Sequence, residues 1–186
     1  GYWAVHFYAE RRLMRLDADG RELFSIAFPA DTLPYEAFRL VQVRNGDLWL
    51  GTTRGLMRCR AGTRVIEPVV LNDARYPDRR IPITDLIVDE EDRLWAVLER
   101  ASIVCIDGTT GEQRMAQLDD GARSNDLCGL NDFGNGQLLV SASGHYPFLL
   151  DVHTLKPAPF IHPDVPEAAF ANVEGAVMQA DGKPIF

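Results

Sequence analysis

The chain has 186 residues, 46% of them hydrophobic and 25% charged, and carries a net charge of −8. Those proportions are those of an ordinary globular domain, long enough to bury a substantial core. The acidic balance excludes a nucleic-acid surface, which needs a basic stripe, and no apolar run approaches the ~20 residues that span a bilayer, so the segment is expected to make no membrane contact of its own.

Gly1–Tyr8 opens directly inside a strand pattern and begins with Gly rather than Met, so the chain reads as an internal piece of a longer protein. Trp3 lies in this first apolar run. The next signal, Asp17-Ala18-Asp19-Gly20, reads as a hairpin turn with Gly in the left-handed position, being too short a piece of a calcium loop. From here the pattern repeats. Trp3, Trp49, Trp95 and Leu139 occupy matching apolar runs at intervals of 46, 46 and 44 residues, and a further turn, Asp181-Gly182, follows Gly136 at the same spacing. A period near 45 marks a row of similar units.

Alternation and turn residues divide each unit into four strands. The second unit reads as Phe38–Val43, Asp47–Thr52, Gly55–Arg60 and Arg64–Leu71. The third reads as Ile83–Val88, Arg93–Leu98, Ser102–Asp107 and Glu112–Leu118, and the fourth as Asp126–Asn131, Gln137–Ser141, Pro147–Val152 and Pro157–His162. Gaps this short suit antiparallel hairpins and leave no room for crossover helices, while the prolines between units oppose helical repeats. The expected fold is therefore an all-β propeller of four-stranded antiparallel blades. Its boundaries fall at residues 1–36 (a partial blade), 37–82, 83–125, 126–169 and 170–186 (partial), a piece of a larger ring of about seven blades. A closed four-bladed ring is the alternative.

Cys59 and Cys105 each lie ten residues after a marker Trp, a place held by Leu149 in the fourth unit, so they are expected at equivalent third-strand positions as buried free thiols. Cys128 is expected to be a buried thiol on a first strand. The absence of any C-x-x-C pair argues against a metal site, and neither a G-x-S-x-G elbow, an H-E-x-x-H pair, a P-loop nor a G-x-G-x-x-G is present. No catalytic residue, metal or cofactor is expected.

One unit carries a more specific pattern. Asn45-Gly46-Asp47-Leu48-Trp49-Leu50-Gly51-Thr52-Thr53-Arg54-Gly55-Leu56 closely resembles the two-component regulator propeller repeat, with its L-W-[IVL]-G-T strand followed by x-G-L. The third unit keeps the turn and Trp95 but ends in Ala96-Val97-Leu98, and the fourth keeps only its turn and Leu138-Leu139-Val140. Ile106-Asp107-Gly108-Thr109-Thr110-Gly111, echoed from Leu150 to Lys156, looks like a turn shared by many propellers, including quinoprotein types. WD repeats fit less well, because no Trp-Asp dipeptide ends a third strand.

In a propeller the second-to-third hairpins and the blade-to-blade connections share one face around the channel. That face is expected to gather Arg54, Arg100 and His145 from the hairpins, and Tyr35, Arg79 and Arg80 from the connections. Together they suit an anionic or carbohydrate small molecule. The family resemblance implies a bacterial extracytoplasmic or periplasmic sensor domain without catalytic residues. It further implies a parent membrane protein ending in a histidine kinase or diguanylate cyclase, working as a homodimer. A propeller enzyme of lyase or quinoprotein type and a protein-interaction scaffold are the competing readings.

Overall fold

The computed structural model describes residues 1–6, 11–29, 37–72, 81–99, 102–118, 127–142, 145–160, 177–178 and 184–185. Among them there are strands and turns and no helix. β1 (Tyr2–His6), β2 (Arg12–Leu16) and β3 (Glu22–Ala27) form a three-stranded antiparallel sheet, blade I. Blade II comprises β4 (Ala37–Gln42), β5 (Leu48–Thr52), β6 (Gly55–Cys59) and β7 (Ile66–Pro68) in sequential order. Blade III comprises β8 (Ile83–Val88), β9 (Arg93–Leu98), β10 (Ser102–Asp107) and β11 (Gln113–Gln117). Blade IV comprises β12 (Leu127–Gly134), β13 (Gln137–Ala142), β14 (His145–Asp151) and β15 (Pro157–Pro159), and β16 (Val177–Met178) pairs with β17 (Pro184–Ile185) beyond it.

Every described pairing is antiparallel, as connections of a few residues require. The turns use the residues that tolerate left-handed backbone: Gly20, Gly46, Asp92, Asn135 and Gly136 all have positive φ. Asp17 completes the first of them as an Asx turn, its Oδ1 accepting from the amides of Asp19 and Arg21 at 2.9 Å each, so this Asp-rich loop is a hairpin.

Strands β4, β8, β12 and β16 contact one another in turn, so the first strands of blades II, III and IV form an inner wall with β16 and the later strands lie progressively outward. Each pair of blades encloses an apolar wedge. Trp3, Val5, Leu13, Phe24 and Ile26 of blade I meet Leu48, Leu50, Met57 and Cys59 of blade II. The opposite face of blade II, with Trp49 and Leu56, meets Ile83, Leu86, Leu94 and Ala96 of blade III. Trp95, Val97 and Ile103 of blade III then meet Leu138, Val140, Phe148 and Leu150 of blade IV. Alternate residues of each strand thus serve opposite wedges, as the two-residue period of a strand dictates. The marker Trp of blades I, II and III faces the next blade each time, and Trp49 and Trp95 are both essentially unexposed.

A guanidinium stacks on each marker ring: Arg15 on Trp3, Arg58 on Trp49 and Arg93 on Trp95, at 5.2, 4.9 and 5.8 Å from the ring centres. Buried Asp47 pairs with Arg58 in blade II, and buried Asp89 pairs with Arg93 in blade III. Asp89 also accepts the indole N–H of Trp95 at 2.8 Å, whereas the buried N–H of Trp49 has no partner because Val43 stands one repeat before Asp89.

The expected equivalence of Cys59 and Cys105 does not hold. Trp49 pairs across the ladder with Arg58, and Trp95 pairs with Cys105. Two residues join β5 to β6 but three join β9 to β10, so an equal count along the chain lands one register step apart. One step reverses the facing of a strand residue. Cys59 consequently packs in the wedge toward blade I, and Cys105 in the wedge toward blade IV. Both are buried free thiols, and Leu149, opposite Leu139, matches Cys105 alone. The side chain of Cys128 lies outside the described residues.

Candidate functional site

The second-to-third hairpins of blades II, III and IV leave their sheets at the same end, opposite the first-to-second turns. The inner strands begin at that end, where Ala37 pairs with Thr52, Ile83 with Leu98 and Leu127 with Ala142. One register shift follows immediately in each: between Ala37 and Arg39, between Ile83 and Asp85, and between Leu127 and Gly129. A bulge of this kind bends the strand and re-aims the next side chain. The three residues that follow the bulges, Arg39, Asp85 and Gly129, occupy equivalent ladder positions opposite Gly51, Val97 and Ser141.

Two of these three are charged, and they meet. Arg39 Nε donates to Asp85 Oδ1 at 2.7 Å, across the boundary between blades II and III. The same Oδ1 accepts the amide of Leu86 at 2.8 Å, and Oδ2 accepts the amide of Leu130 from blade IV at 2.8 Å. Asp85 therefore joins three blades at the inner wall. Its side chain is 6% exposed and that of Arg39 is 56% exposed, so the carboxylate is enclosed while the Arg39 side chain is more than half exposed. Thr84, the bulged residue of β8, adds a second tie by donating from Oγ1 to the carbonyl of Leu127 at 3.3 Å.

Of the residues expected at this mouth, Arg54 lies in the β5–β6 turn, half-buried, and its amide donates to Thr52 Oγ1 at 3.1 Å. The Thr52 hydroxyl in turn donates to the carbonyl of Gly55 at 2.6 Å, so the hairpin is internally braced. His145 is the first residue of β14, opposite Ala142, which puts its backbone at the same end of blade IV. Its side chain, together with Tyr35, Arg79, Arg80 and Arg100, lies outside the described residues. Among the described residues no group of three or more His, Cys, Asp or Glu is arranged to hold a metal ion.

Arg39 and Asp85 sit inside strands β4 and β8, away from the hairpins whose residues mark the mouth in the sequence. A signal was nonetheless present. They are 46 residues apart, at one position of consecutive repeats, and are opposite in charge where the neighbouring Leu40 and Leu86 repeat as apolar residues.

No family model matches the chain, and no curated protein sequence does. Solved structures do resemble it. Virginiamycin B lyase from Staphylococcus aureus superposes with a TM-score of 0.73 at 12% identity, over 98% of this chain and 57% of the lyase. The extracellular domain of BT4673 from B. thetaiotaomicron, assigned to a hybrid two-component system, gives 0.73 at 14% identity over 98% of this chain and 24% of that one. The corresponding domain of BT3049 gives 0.62 at 14%, over 98% and 25%. The chain thus spans little more than half of the lyase and about a quarter of the sensor domains. Identities this low carry the fold, a β-propeller arc, and leave the activity to be argued from the site.

Proposed function

We propose that this chain is the non-catalytic, ligand-sensing part of an extracytoplasmic propeller in a bacterial membrane signalling protein. The observation that carries the reading is how blade II uses its distinctive motif. Leu48, Trp49, Leu50, Gly51 and Thr52, the residues resembling the regulator propeller repeat, are all buried as scaffold, while Arg54 in the adjoining turn is only half-buried. The likeness to the extracellular domains of BT4673 and BT3049 supports the same reading. Arg54 and His145 from the hairpins, with Arg100, Tyr35, Arg79 and Arg80, would bind an anionic or carbohydrate ligand. Binding would then favour one packing of the parent dimer over another, and the output follows the difference in affinity.

Thermal unfolding of the full-length protein across neutral sugars, uronates and sugar phosphates tests this. A ligand present at ~100 times its Kd adds about 2.7 kcal/mol to stability and raises the Tm by several degrees. Arg54→Ala and His145→Ala are expected to abolish that rise while leaving the circular dichroism unchanged. If no member of the panel moves the Tm, or if both variants unfold, the mouth is not a ligand site.

The likeness to virginiamycin B lyase favours one other reading, a propeller lyase. Incubation with virginiamycin B, followed by reversed-phase chromatography, separates the two, because elimination within a ring gives an isomer of unchanged mass. A new product peak formed with turnover establishes the lyase, and unaltered antibiotic supports the sensor.

A further inference from the structure

Two Asn-Gly dipeptides occur in the chain, Asn45-Gly46 and Asn135-Gly136, and both lie in the turn between the first and second strands of a blade. Both asparagines are exposed. Asparagine is chemically labile, and a following glycine, having no side chain, leaves its amide nitrogen unhindered toward the asparagine Cγ. The two turns differ in how they restrain that reaction. Asn45 Nδ2 donates to the carbonyl of Gly108 at 3.2 Å, and its Oδ1 accepts the amide of Asp47 at 2.8 Å. The Gly46 amide donates to the carbonyl of Val43 at 2.9 Å. Every reacting group of this dipeptide is therefore tied, one of them to the neighbouring blade. Asn135 and Gly136 instead form a two-residue hairpin turn with φ of 54° and 73°. Among the described residues, neither the Asn135 side chain nor the Gly136 amide has a hydrogen-bond partner. Only the Gly136 carbonyl is engaged, accepting the amide of Val152 at 3.0 Å. An exposed hairpin tip with few ties opens locally at little cost, which gives the side chain access to the backbone nitrogen.

We propose that Asn135 is a site of spontaneous deamidation and that the fold protects Asn45 from the same reaction. The Gly136 nitrogen gives up its proton to solvent and attacks Cγ of Asn135. A C–N bond forms as the Cγ–Nδ2 bond breaks, and Nδ2 leaves as ammonia. Water then opens the cyclic imide at either carbonyl. Breaking the new bond leaves aspartate, and breaking the original main-chain bond leaves isoaspartate; one water is consumed, one ammonia is released and nothing is oxidised or reduced. The product puts a carboxylate into a turn that lies against the β14–β15 loop, since a Cβ at Gly136 would stand 3.3 Å from His153 Nε2. The carbonyl of His153 in turn accepts from Arg114 of blade III. In the isoaspartyl form the main chain is also longer within the turn that joins β12 to β13. This modification is independent of the sensing function proposed above.

The test is to hold the full-length protein at mildly alkaline pH, native and in urea, and to follow both dipeptides by tryptic mapping with tandem mass spectrometry, which assigns each aspartate and isoaspartate to its residue. In the native protein Asn135 is expected to convert at least roughly tenfold faster than Asn45, which must first break hydrogen bonds that Asn135 lacks. In urea the two are expected to convert at similar rates. A native Asn135 that stays intact, or that converts no faster than Asn45, overturns the proposal. A difference that persists undiminished in urea also overturns it, because the cause would then be the flanking sequence and not the fold.

Discussion

Single residues in this chain are governed by which wedge they enter. Burial pushes the Cys105 thiol up to about 11, and the nearby Arg93 does not reverse it; burial also raises Cys59. Thiolate is the reactive form, so neither cysteine is expected to react with iodoacetamide at pH 8 in the native protein, and both should react in urea. Mass spectrometry of the labelled protein checks this, and rapid native labelling would contradict the burial. A thiol raised from 9.0 to about 11 keeps its proton longer when folded, so its contribution is intact below pH 9 and is lost as the pH climbs toward 11. Asp47 behaves oppositely. Burial alone would raise it, but the Ala61 amide and the Arg58 guanidinium outweigh burial and hold it below 3.8. Its contribution is therefore present above pH 3.8 and fades as the pH falls through the lower folded value. Urea midpoints measured from pH 2 to 6 are expected to depend less on pH in Asp47→Asn than in the parent protein, and parallel curves would show that Asp47 is not held this way.

At the scale of elements, the hairpins and ladders obey local rules and the contacts between them do not. Gly51 illustrates both. Inside β5 it pairs with Arg39 and Leu56 as any strand residue would, but a Cβ there would lie 2.8 Å from Ile83 Cγ2 and 3.2 Å from Ile83 Cβ. Ile83 is fully buried and has no room to retreat. Gly51→Ala is expected to cost about 1–3 kcal/mol in chemical denaturation, the usual penalty of overpacking. Adding Ile83→Val should recover part of that, because residues in contact do not contribute additively. An additive double variant would place the strain elsewhere. Three strands of blade III were readable to the residue, since Ile83–Val88, Arg93–Leu98 and Ser102–Asp107 are bounded by turn signals and alternate cleanly. β7 and β15 are shorter than their sequence pattern because Pro68 and Pro159 lie at outer edges, where a ladder ends without penalty. The facing of Cys59 was not readable, because one extra loop residue between β9 and β10 changes no composition yet reverses which side a count of ten reaches. The mouth was legible only as a set of hairpins. Its inner-wall ion pair follows two bulges, and a bulge has no residue signature of its own.

For the whole molecule, the wedges make stability a chain of neighbour interactions. Among the described residues each apolar wedge joins neighbouring blades, so a local loss should propagate one interface and then fade, as in other repeat folds. Trp95 joins blade III to blade IV and is fully buried, and its truncation to Ala removes the largest side chain of that wedge. The expected cost is about 3–5 kcal/mol, the range for large aromatic truncations in cores. Where that cost falls is more informative than its size. Hydrogen exchange should show protection lost first from the amides of β13 and β14, which blade IV owes to this wedge, and retained in β2 and β5, which belong to the wedge between blades I and II. Arg39 and Asp85 set a limit on this independence. Because Asp85 accepts from blade II and blade IV at once, Asp85→Asn should reduce the difference in exchange midpoint between β5 and β13 less than it reduces the protection of the Leu130 amide itself. Uniform loss across all blades in Trp95→Ala would mean that the propeller unfolds as a single cooperative unit, and that the inner wall, rather than the apolar wedges, carries the coupling.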